Sequence, residues 1–488
     1  MQGKTNHKTL YLTVFVCGFV VMAFEIVGSR VLAPFLGTST YIWVSIIGTI
    51  LLAMSGGYFY GGRAADNDSN RKQLSAFILL AAGGMCLMNI GKNQLLMFLT
   101  SLGLNSLLTS TVSAFVLFTF PAFMLAAVFP YVLRMALTSV ENSGKTAGRL
   151  YAISTFGSIA GTFLSATLLI PAFGTTNIIW MLAIVLIVTS LFNSLIGNRI
   201  KLLVTFLLVI GNIVFARIPR DYIDIDTQYN RVWIYDAIAQ GREARYLALN
   251  GHINGGMWID NPQLEQLFPY SDYFQLAMHF NQKFQTTLIL GAGGYSFPKL
   301  YQQKWPNKAL AVVEIDPDLT NLGEEYFQFE PSQTTSIHHK DARVFLSNSE
   351  EKYDIVINDV FTSPFEVPFH MTTLECYQRI AARLNDGGVL ATNVLGSLDG
   401  KHSNFLKSQM RTLESVFDQV LLYQVDNGQE AEIKNNILIA FDGDIDLEKI
   451  TASDEMREML ANRRSINASN KQMILTDDYA PANWLLSY

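Results

Sequence analysis

The chain has 488 residues, of which 50% are hydrophobic and only 16% are charged, a balance that is unusual for a soluble protein. The first 216 residues carry a formal charge of +8, whereas the remainder carries −14. Long apolar runs with basic connectors are typical of a membrane domain. The acidic second half argues against nucleic acid as a partner, because binding to nucleic acid needs basic patches.

The cysteines and histidines give no sign of a disulfide framework or a metal site. Cys17, Cys86 and Cys376 lie far apart, without a Cys-x-x-Cys pattern, and the seven histidines show no ligand spacing. We therefore predict no metal.

Residues 1–216 are predicted to form a multi-pass transmembrane domain of about seven or eight helical spans. Residues 95–104 are too short to cross alone and are interpreted as interfacial or as part of a broken helix. Glu25, inside the first span, is expected to pair with another span. The spans are predicted over residues 10–32, 41–62, 74–91, 107–130, 150–171, 177–197 and, for a short last one, 202–216.

The basic connectors between the spans lie on the cytoplasmic side if the positive-inside rule holds. A crossing by 202–216 would then place the second half outside, and a further crossing by 95–104 would return it to the cytoplasm. A nucleotide-type site favours the cytoplasm, where such ligands are abundant. We expect a protein of the inner (plasma) membrane with a cytoplasmic catalytic half.

Residues 217–285 are predicted to form a small β subdomain. Residues 217–226 are a linker, and the alternation of polar and apolar residues over 229–249 predicts strands. Residues 253–269 are expected to be irregular, and residues 271–280 helical.

Residues 286–488 are predicted to form an α/β domain of the Rossmann-like type. An apolar strand over 288–290 precedes a turn with Gly291 and Gly293, and a helix leads to a second strand ending in Glu314. Glycine lets the backbone approach a ligand closely. Further strands are predicted over 335–338, 353–358, 388–393, 420–424 and 436–441, and further helices from 318 and 342 and over 371–384, 404–416 and 448–464.

Ligands in an open parallel sheet bind at the carboxyl ends of the strands. Glu314 is expected to accept hydrogen bonds from a ribose diol, Asp341 from an adenine amino group, and Asp359 is left to face the reacting atoms. Asp341 or Asp359 could instead be a helix N-cap.

Over about residues 220–445, the ordered motifs resemble those of spermidine synthase and its aminopropyltransferase relatives. The whole chain is similar to the membrane-fused spermidine synthase-like proteins of prokaryotes, notably in FEIVGSRVLAPFLG (24–37) and TDDYAP (476–481). The other motifs are Tyr229 with Asn230, LNGHIN (249–254), YFQLAMH (273–279), GAGGYS (291–296), VEID (313–316), DAR (341–343), DVFTSP (359–364) and GGVLATN (387–393).

This resemblance implies a fold of the S-adenosylmethionine-dependent transferase type. It implies that an amine attacks decarboxylated S-adenosylmethionine, or S-adenosylmethionine itself, and that methylthioadenosine is released. Asp359 would accept the proton of the amine, with Tyr273 as its hydrogen-bond partner. A homodimer is expected, since the soluble family is commonly dimeric. The resemblance implies cofactor contacts for Asn230, Asn254, His279, Gly291, Gly293, Glu314, Asp341 and Ala342.

The chain departs from the family where the amine would bind. Thr362 replaces the second acid of the family's DSSDP loop, which helps to hold the diamine. Putrescine is therefore in doubt, and an amine that is larger, less charged or membrane-associated is expected. Asp477 or Asp478 could supply a replacement carboxylate, although a capping or turn role is equally open. A further departure concerns the cofactor, since Asn230 and Asn254 replace the two glutamines that contact it in the family.

Two other functions stay open from the sequence. One is a methyltransferase that uses the same cofactor, and the other is a transporter or polyamine sensor whose C-terminal domain binds without turnover. The β subdomain and the loop over residues 359–364 favour the aminopropyltransferase.

Overall fold

The computed structural model describes residues 7–37, 40–102, 104–137, 141–193, 222–261, 265–360, 367–400, 402–425, 432–443, 453–466 and 472–487. The chain divides into two compact units. The first comprises Met1–Asp221 with Ile225–Arg231, and the second comprises Tyr222–Asp224 with Val232–Tyr488.

The first unit is helical. Five segments of its described part are long and apolar enough to cross a membrane, and the last of them, Ser143–Asn193, is broken by Gly174 with a φ of 71°. The helices are α1 (His7–Leu36), α2 (Thr40–Asn67), α3 (Arg71–Ser101), α4 (Ser106–Ala136), α5 (Ser143–Leu164) and α6 (Ile170–Asn193), with a π-helical turn at Ser165–Leu169 between the last two.

Two expectations for this unit are corrected. Residues 95–104 form no separate element, because α3 continues through them to Ser101. Glu25 makes no hydrogen bond or ion pair with any described residue, so the expected pairing with another span is not found there. The predicted span over 202–216 lies outside the described residues.

Glycines let the helices of this unit approach closely. A Cβ on Gly61 of α2 would lie 2.2 Å from the carbonyl oxygen of Ala127 in α4. Gly157 of α5 meets the carbonyl oxygen of Phe15 in α1 in the same way. Small residues at such crossings are typical of helices packed in membranes.

The linker before the second unit ends in ordered contacts with the helices of the first unit. The Asp226 carboxylate accepts hydrogen bonds from the backbone N and the Oγ1 of Thr175, just after the break at Gly174. Arg30 of α1 donates to the backbone carbonyl of Gln228.

A small sheet opens the C-terminal part of the chain. Its strands β1 (Ile223–Asp226), β2 (Arg231–Ala239), β3 (Arg242–Leu249) and β4 (His252–Trp258) lie in sequence order. The expectation that residues 253–269 are irregular was wrong for β4, whose Gly255 and Gly256 weaken the β-forming signal. A 3₁₀ turn, Pro269–Phe274, and helix α7, Gln275–Phe280, follow.

The larger sheet has the strand order β12–β10–β11–β9–β8–β5–β6–β7. Its strands are β5 (Thr286–Leu290), β6 (Ala309–Glu314), β7 (Thr335–His339), β8 (Tyr353–Asn358), β9 (Leu384–Gly396), β10 (Gln419–Gln424), β11 (Lys434–Phe441) and β12 (Arg463–Arg464). Its helices are α8 (Ser296–Lys304), α9 (Pro317–Phe327), α10 (Ala342–Asn348), α11 (Leu374–Ala382), α12 (Ser403–Glu414), α13 (Asp454–Ala461) and α14 (Ala482–Ser487).

Both faces of this sheet are buried. Leu288 and Leu290 of β5 belong to one apolar cluster, and Ile289 between them belongs to another. Continuous apolar strands covered on both faces are typical of parallel sheets. The Rossmann-like fold is thus confirmed, while the helix predicted over 448–464 is corrected at its end, where β12 pairs with β10.

The order in which successive strands are added to the sheet reverses at β5. β5 pairs in parallel with β6 on one side and with β8 on the other, and β7 and β9 continue outward from these. The crevice at such a switch point, at the carboxyl ends of the strands, is where ligands bind in open α/β sheets.

Candidate active site

The glycine turn after β5 lies at this switch point. Gly291 and Gly293 have φ of 84° and 51°, which a glycine adopts without strain. A Cβ on Gly291 would lie 2.3 Å from the carbonyl oxygen of Asp359, so a side chain there would push the two strand ends apart. On the other side of the turn, the backbone of Asn254 approaches Gly293 closely.

Glu314 ends β6 beside this turn. One carboxylate oxygen accepts a hydrogen bond from the backbone N of Ala292, and the other accepts from the backbone N of Asp316, both at 3.0 Å. The side chain is buried, and burial raises its pKa while the two backbone bonds oppose that rise. Each oxygen keeps a lone pair, so an oriented acceptor is available for two hydroxyl groups.

Asp359 follows β8 on the other side of the turn. Its backbone N donates to the carbonyl of Leu290, which fixes the residue against the end of β5. Burial raises the pKa of its carboxyl to about 6, against the opposing effect of hydrogen bonds from Asn393 and Tyr270. The residue as a whole is half-buried.

Asn393 and Tyr270 are site residues that the sequence reasoning missed. The Asn393 amide donates to one oxygen of Asp359 at 3.0 Å, and the Tyr270 hydroxyl lies 3.4 Å from the other. The Oδ1 atom of Asn393 is buried and has no hydrogen-bond partner among the described residues. The pairing of the two strands explains the contact: β9 pairs Thr392 with Asn358 of β8, which brings the next residue, Asn393, level with Asp359.

Comparisons with known proteins place the chain among its relatives. No family model matches the chain. A polyamine aminopropyltransferase of Vibrio vulnificus is 27% identical over 239 residues, which is 46% of this chain and 78% of that protein. This chain is similar to the polyamine aminopropyltransferases, and it is spermidine synthase-like in that sense.

The chain is also similar to a second curated protein and to a solved structure. A probable polyamine aminopropyl transferase of Bifidobacterium longum is 29% identical over 220 residues, and the match spans 48% of its length and 41% of this chain. The crystal structure of a probable spermidine synthase from Corynebacterium glutamicum is 20% identical, with a TM-score of 0.46, and the match covers 54% of this chain and 99% of that one.

Asp341 directly precedes helix α10, and one of its carboxylate oxygens caps that helix. Its Oδ1 accepts from the backbone N of Val344, whereas its Oδ2 lies 3.5 Å from Nε2 of His370. The capping role that the sequence left open is therefore present, and it occupies only one of the two oxygens. Ala342, the first residue of α10, lies half-buried beside it.

Tyr273 does not take the place expected for it. Its hydroxyl accepts a hydrogen bond from the side-chain amide of Asn462, and the tyrosine that donates to Asp359 is Tyr270. The two tyrosines lie in the same 3₁₀ turn, three residues apart.

The remaining predicted residues are spread more widely. The Oδ1 of Asn254 accepts from the backbone N of Leu249, and His279 is buried, which lowers its pKa. Asn230 belongs to the first unit, where its backbone forms a turn with Thr227. Asp478 is exposed, and Thr362 lies outside the described residues.

Proposed function

We propose that this transferase moves an aminopropyl or related group from decarboxylated S-adenosylmethionine, or from S-adenosylmethionine itself, to an amine. The amine nitrogen forms a bond to the methylene carbon beside the sulfonium, the carbon–sulfur bond breaks, and methylthioadenosine leaves. A sulfonium is already a good leaving group, so the protein has to align the amine and remove its proton.

The observation that carries the proposal is the Asp359 carboxyl at the carboxyl end of β8, held by Asn393 and Tyr270, where burial raises its pKa to about 6. An aliphatic amine with a pKa of about 10 is mostly protonated at pH 7 and cannot attack. Asp359 is mostly ionised at that pH and is a stronger base than an ordinary aspartate. It is therefore suited to accept the proton of the amine as the new bond forms.

Asn393 adds an acceptor for the same substrate. Its buried Oδ1 has no partner among the described residues, and a buried acceptor without a donor costs free energy. A substrate nitrogen has hydrogen atoms for both this oxygen and the Asp359 carboxylate. Together these groups favour a nitrogen nucleophile over an oxygen nucleophile, which has only one hydrogen to donate.

The nucleoside part of the donor is assigned to the other strand ends. Gly291 and Gly293 would let its chain cross the turn, Glu314 would accept from the ribose hydroxyls, and the Oδ2 of Asp341 would accept from the adenine amino group. The family resemblance further implies cofactor contacts for Asn230, Asn254, His279 and Ala342, which stay part of the proposal.

The acceptor and the location of the reaction belong to the proposal as well. The acceptor is an amine that is larger or less charged than putrescine, or held in the bilayer, with Thr362 and Asp478 near its far end. The apolar helices would hold the protein in the inner (plasma) membrane with the catalytic unit in the cytoplasm, where the donor is made. A homodimer is proposed.

One assay tests the reaction. The detergent-solubilised full chain is incubated with each donor and a panel of amines, and products are separated by mass. Release of methylthioadenosine together with an alkylated amine supports the proposal, provided that Asp359→Asn abolishes it. S-adenosylhomocysteine as the product would establish a methyltransferase instead, and donor binding without either product would establish a binding protein.

A further inference from the structure

The closing residues of the chain form a strap across segments that carry the site. The backbone carbonyl of Leu475 accepts from the backbone N of Leu374, and the side chain of Asn483 accepts from the backbone N of Val367. We call residues 475–483 the terminal strap. It lies against the start of α11 and against the segment that follows the loop predicted to bind the amine.

Asp477 makes the strongest polar contacts of the terminal strap. Its Oδ1 accepts from the Thr373 hydroxyl at 2.6 Å, and its Oδ2 accepts from the Arg343 guanidinium at 2.5 Å. Its backbone N donates to the Glu375 carboxylate. Both oxygens of Asp477 are engaged within the protein, so the carboxylate is not directed at an amine.

Arg343 connects this contact to the nucleoside end of the site. It follows directly after Asp341 and Ala342, and its side chain is only 13% exposed. It also donates to the backbone carbonyl of His370. The ring Nε2 of His370 lies 3.5 Å from Oδ2 of Asp341, the oxygen that does not cap α10. Arg343 thus links the turn at Asp341 both to His370 and, through Asp477, to the terminal strap.

We propose that Asp477 is a positioning residue for the nucleoside, acting through Arg343 on the turn at Asp341 and Ala342. The inference rests on the proposed function in one respect, namely that this turn contacts the adenine. Removing the Asp477 charge leaves a nearly buried guanidinium without its carboxylate. Arg343 then moves toward water and takes the turn with it, which misplaces the acceptor oxygen of Asp341.

The test measures nucleoside binding separately from turnover. Calorimetry with methylthioadenosine is performed on the full chain and on Asp477→Asn, Arg343→Met and the double variant. Asp477→Asn should weaken binding by about tenfold, as expected for a lost hydrogen bond to a charged group. Arg343→Met should cause a similar loss, and the double variant no further loss, because the two residues act as one unit.

Asp454→Asn is the matched control. Asp454 also pairs with an arginine, Arg457, but on an exposed helix where the aspartate side chain is 98% exposed. Its replacement should leave nucleoside binding unchanged. If Asp477→Asn does not fold, Asp477→Glu takes its place. The longer side chain keeps the charge but displaces the carboxylate from Arg343, so nucleoside binding should again weaken.

Kinetics distinguish positioning from general damage. Asp477→Asn should raise the KM of the donor while leaving the KM of the amine and kcat at saturating donor nearly unchanged. Unchanged nucleoside affinity, additive losses in the double variant, or a higher KM for the amine alone would each overturn the inference. Wild-type protein that binds methylthioadenosine but transfers nothing would overturn only the proposed function.

Discussion

Glu314 and Asp359 end two parallel strands on either side of β5, yet the protein holds their carboxylates in different ways. Burial raises the pKa of both. The donors to Glu314 are two backbone N–H groups, at Ala292 and Asp316. The donors to Asp359 are two side chains, Asn393 and Tyr270, which come from distant parts of the chain.

This difference fits the roles proposed above, in which Glu314 binds the nucleoside and Asp359 takes part in the reaction. Backbone donors are fixed by the fold and favour one ionised, oriented acceptor, which is what recognition of a ribose diol requires. At Asp359, side-chain donors at 3.0 and 3.4 Å oppose the effect of burial, and the carboxyl has a pKa of about 6. A carboxyl with a pKa near the working pH can take up a proton and release it again in each turnover.

Replacing Asp359 is expected to have the largest effect. Asp359→Asn keeps the size of the side chain but cannot accept a proton, so kcat should fall by about 10²- to 10⁴-fold, the range for general-base catalysis. Its affinity for methylthioadenosine should remain close to that of the wild type. Single-turnover assays and calorimetry measure the two quantities, and full turnover by this variant would remove Asp359 from the mechanism.

The positions of Glu314 and Asp359 were predictable from sequence because each stands at the end of an apolar run. The runs over 288–290, 309–313 and 353–358 are bounded by glycine or polar residues, and the structure places β5, β6 and β8 there. The glycine turn and the acid that follows the next strand then locate the switch point. In that region local pattern and tertiary structure agree.

The partners of Asp359 were not predictable in the same way. Tyr270 lies in a 3₁₀ turn, where neither a period of 2 nor one of 3.6 marks the ring that points to the site. Asn393 was predicted as the last residue of a strand, but β9 continues to Gly396, so the residue lies inside the strand and its neighbours are set by strand pairing. Its role follows from the pairing of β8 with β9, which is a tertiary contact.

Replacing Glu314 should have a smaller effect, and one of a different kind. In Glu314→Gln, the side-chain NH₂ must face a backbone N–H at either Ala292 or Asp316, which places two donors against each other. Affinity for methylthioadenosine should fall by about 10- to 100-fold, as for a lost hydrogen bond to a charged group. The kcat at saturating donor should change little.

Calorimetry and a donor titration of Glu314→Gln distinguish the two carboxylates. If this variant instead lowered kcat and left affinity unchanged, the division into a binding and a reacting carboxylate would be wrong. The Asp359→Asn protein is the matched control, since both substitutions replace one carboxylate by an amide at neighbouring strand ends.

The smallest expected effect is a shift in the pH profile when a donor to Asp359 is removed. In the wild type, kcat/KM should fall as the pH is lowered through about 6, because the protonated carboxyl cannot accept a proton. Both hydrogen bonds lower the pKa of Asp359, so their loss raises it, and the acid limb must move to higher pH. The bond from Asn393 is shorter and opposes the rise more strongly.

Asn393→Ala should therefore shift the limb upward by up to about one pH unit, and Tyr270→Phe by less, since one unit corresponds to about 1.4 kcal/mol. Tyr270 is a donor throughout this range, because burial and the nearby Asp359 raise its own pKa well above the usual value. The profile is measured as kcat/KM against pH with saturating donor. A limb that moved to lower pH in either variant would mean that a group other than Asp359 sets it, and the contrast with Glu314 would then lose its basis.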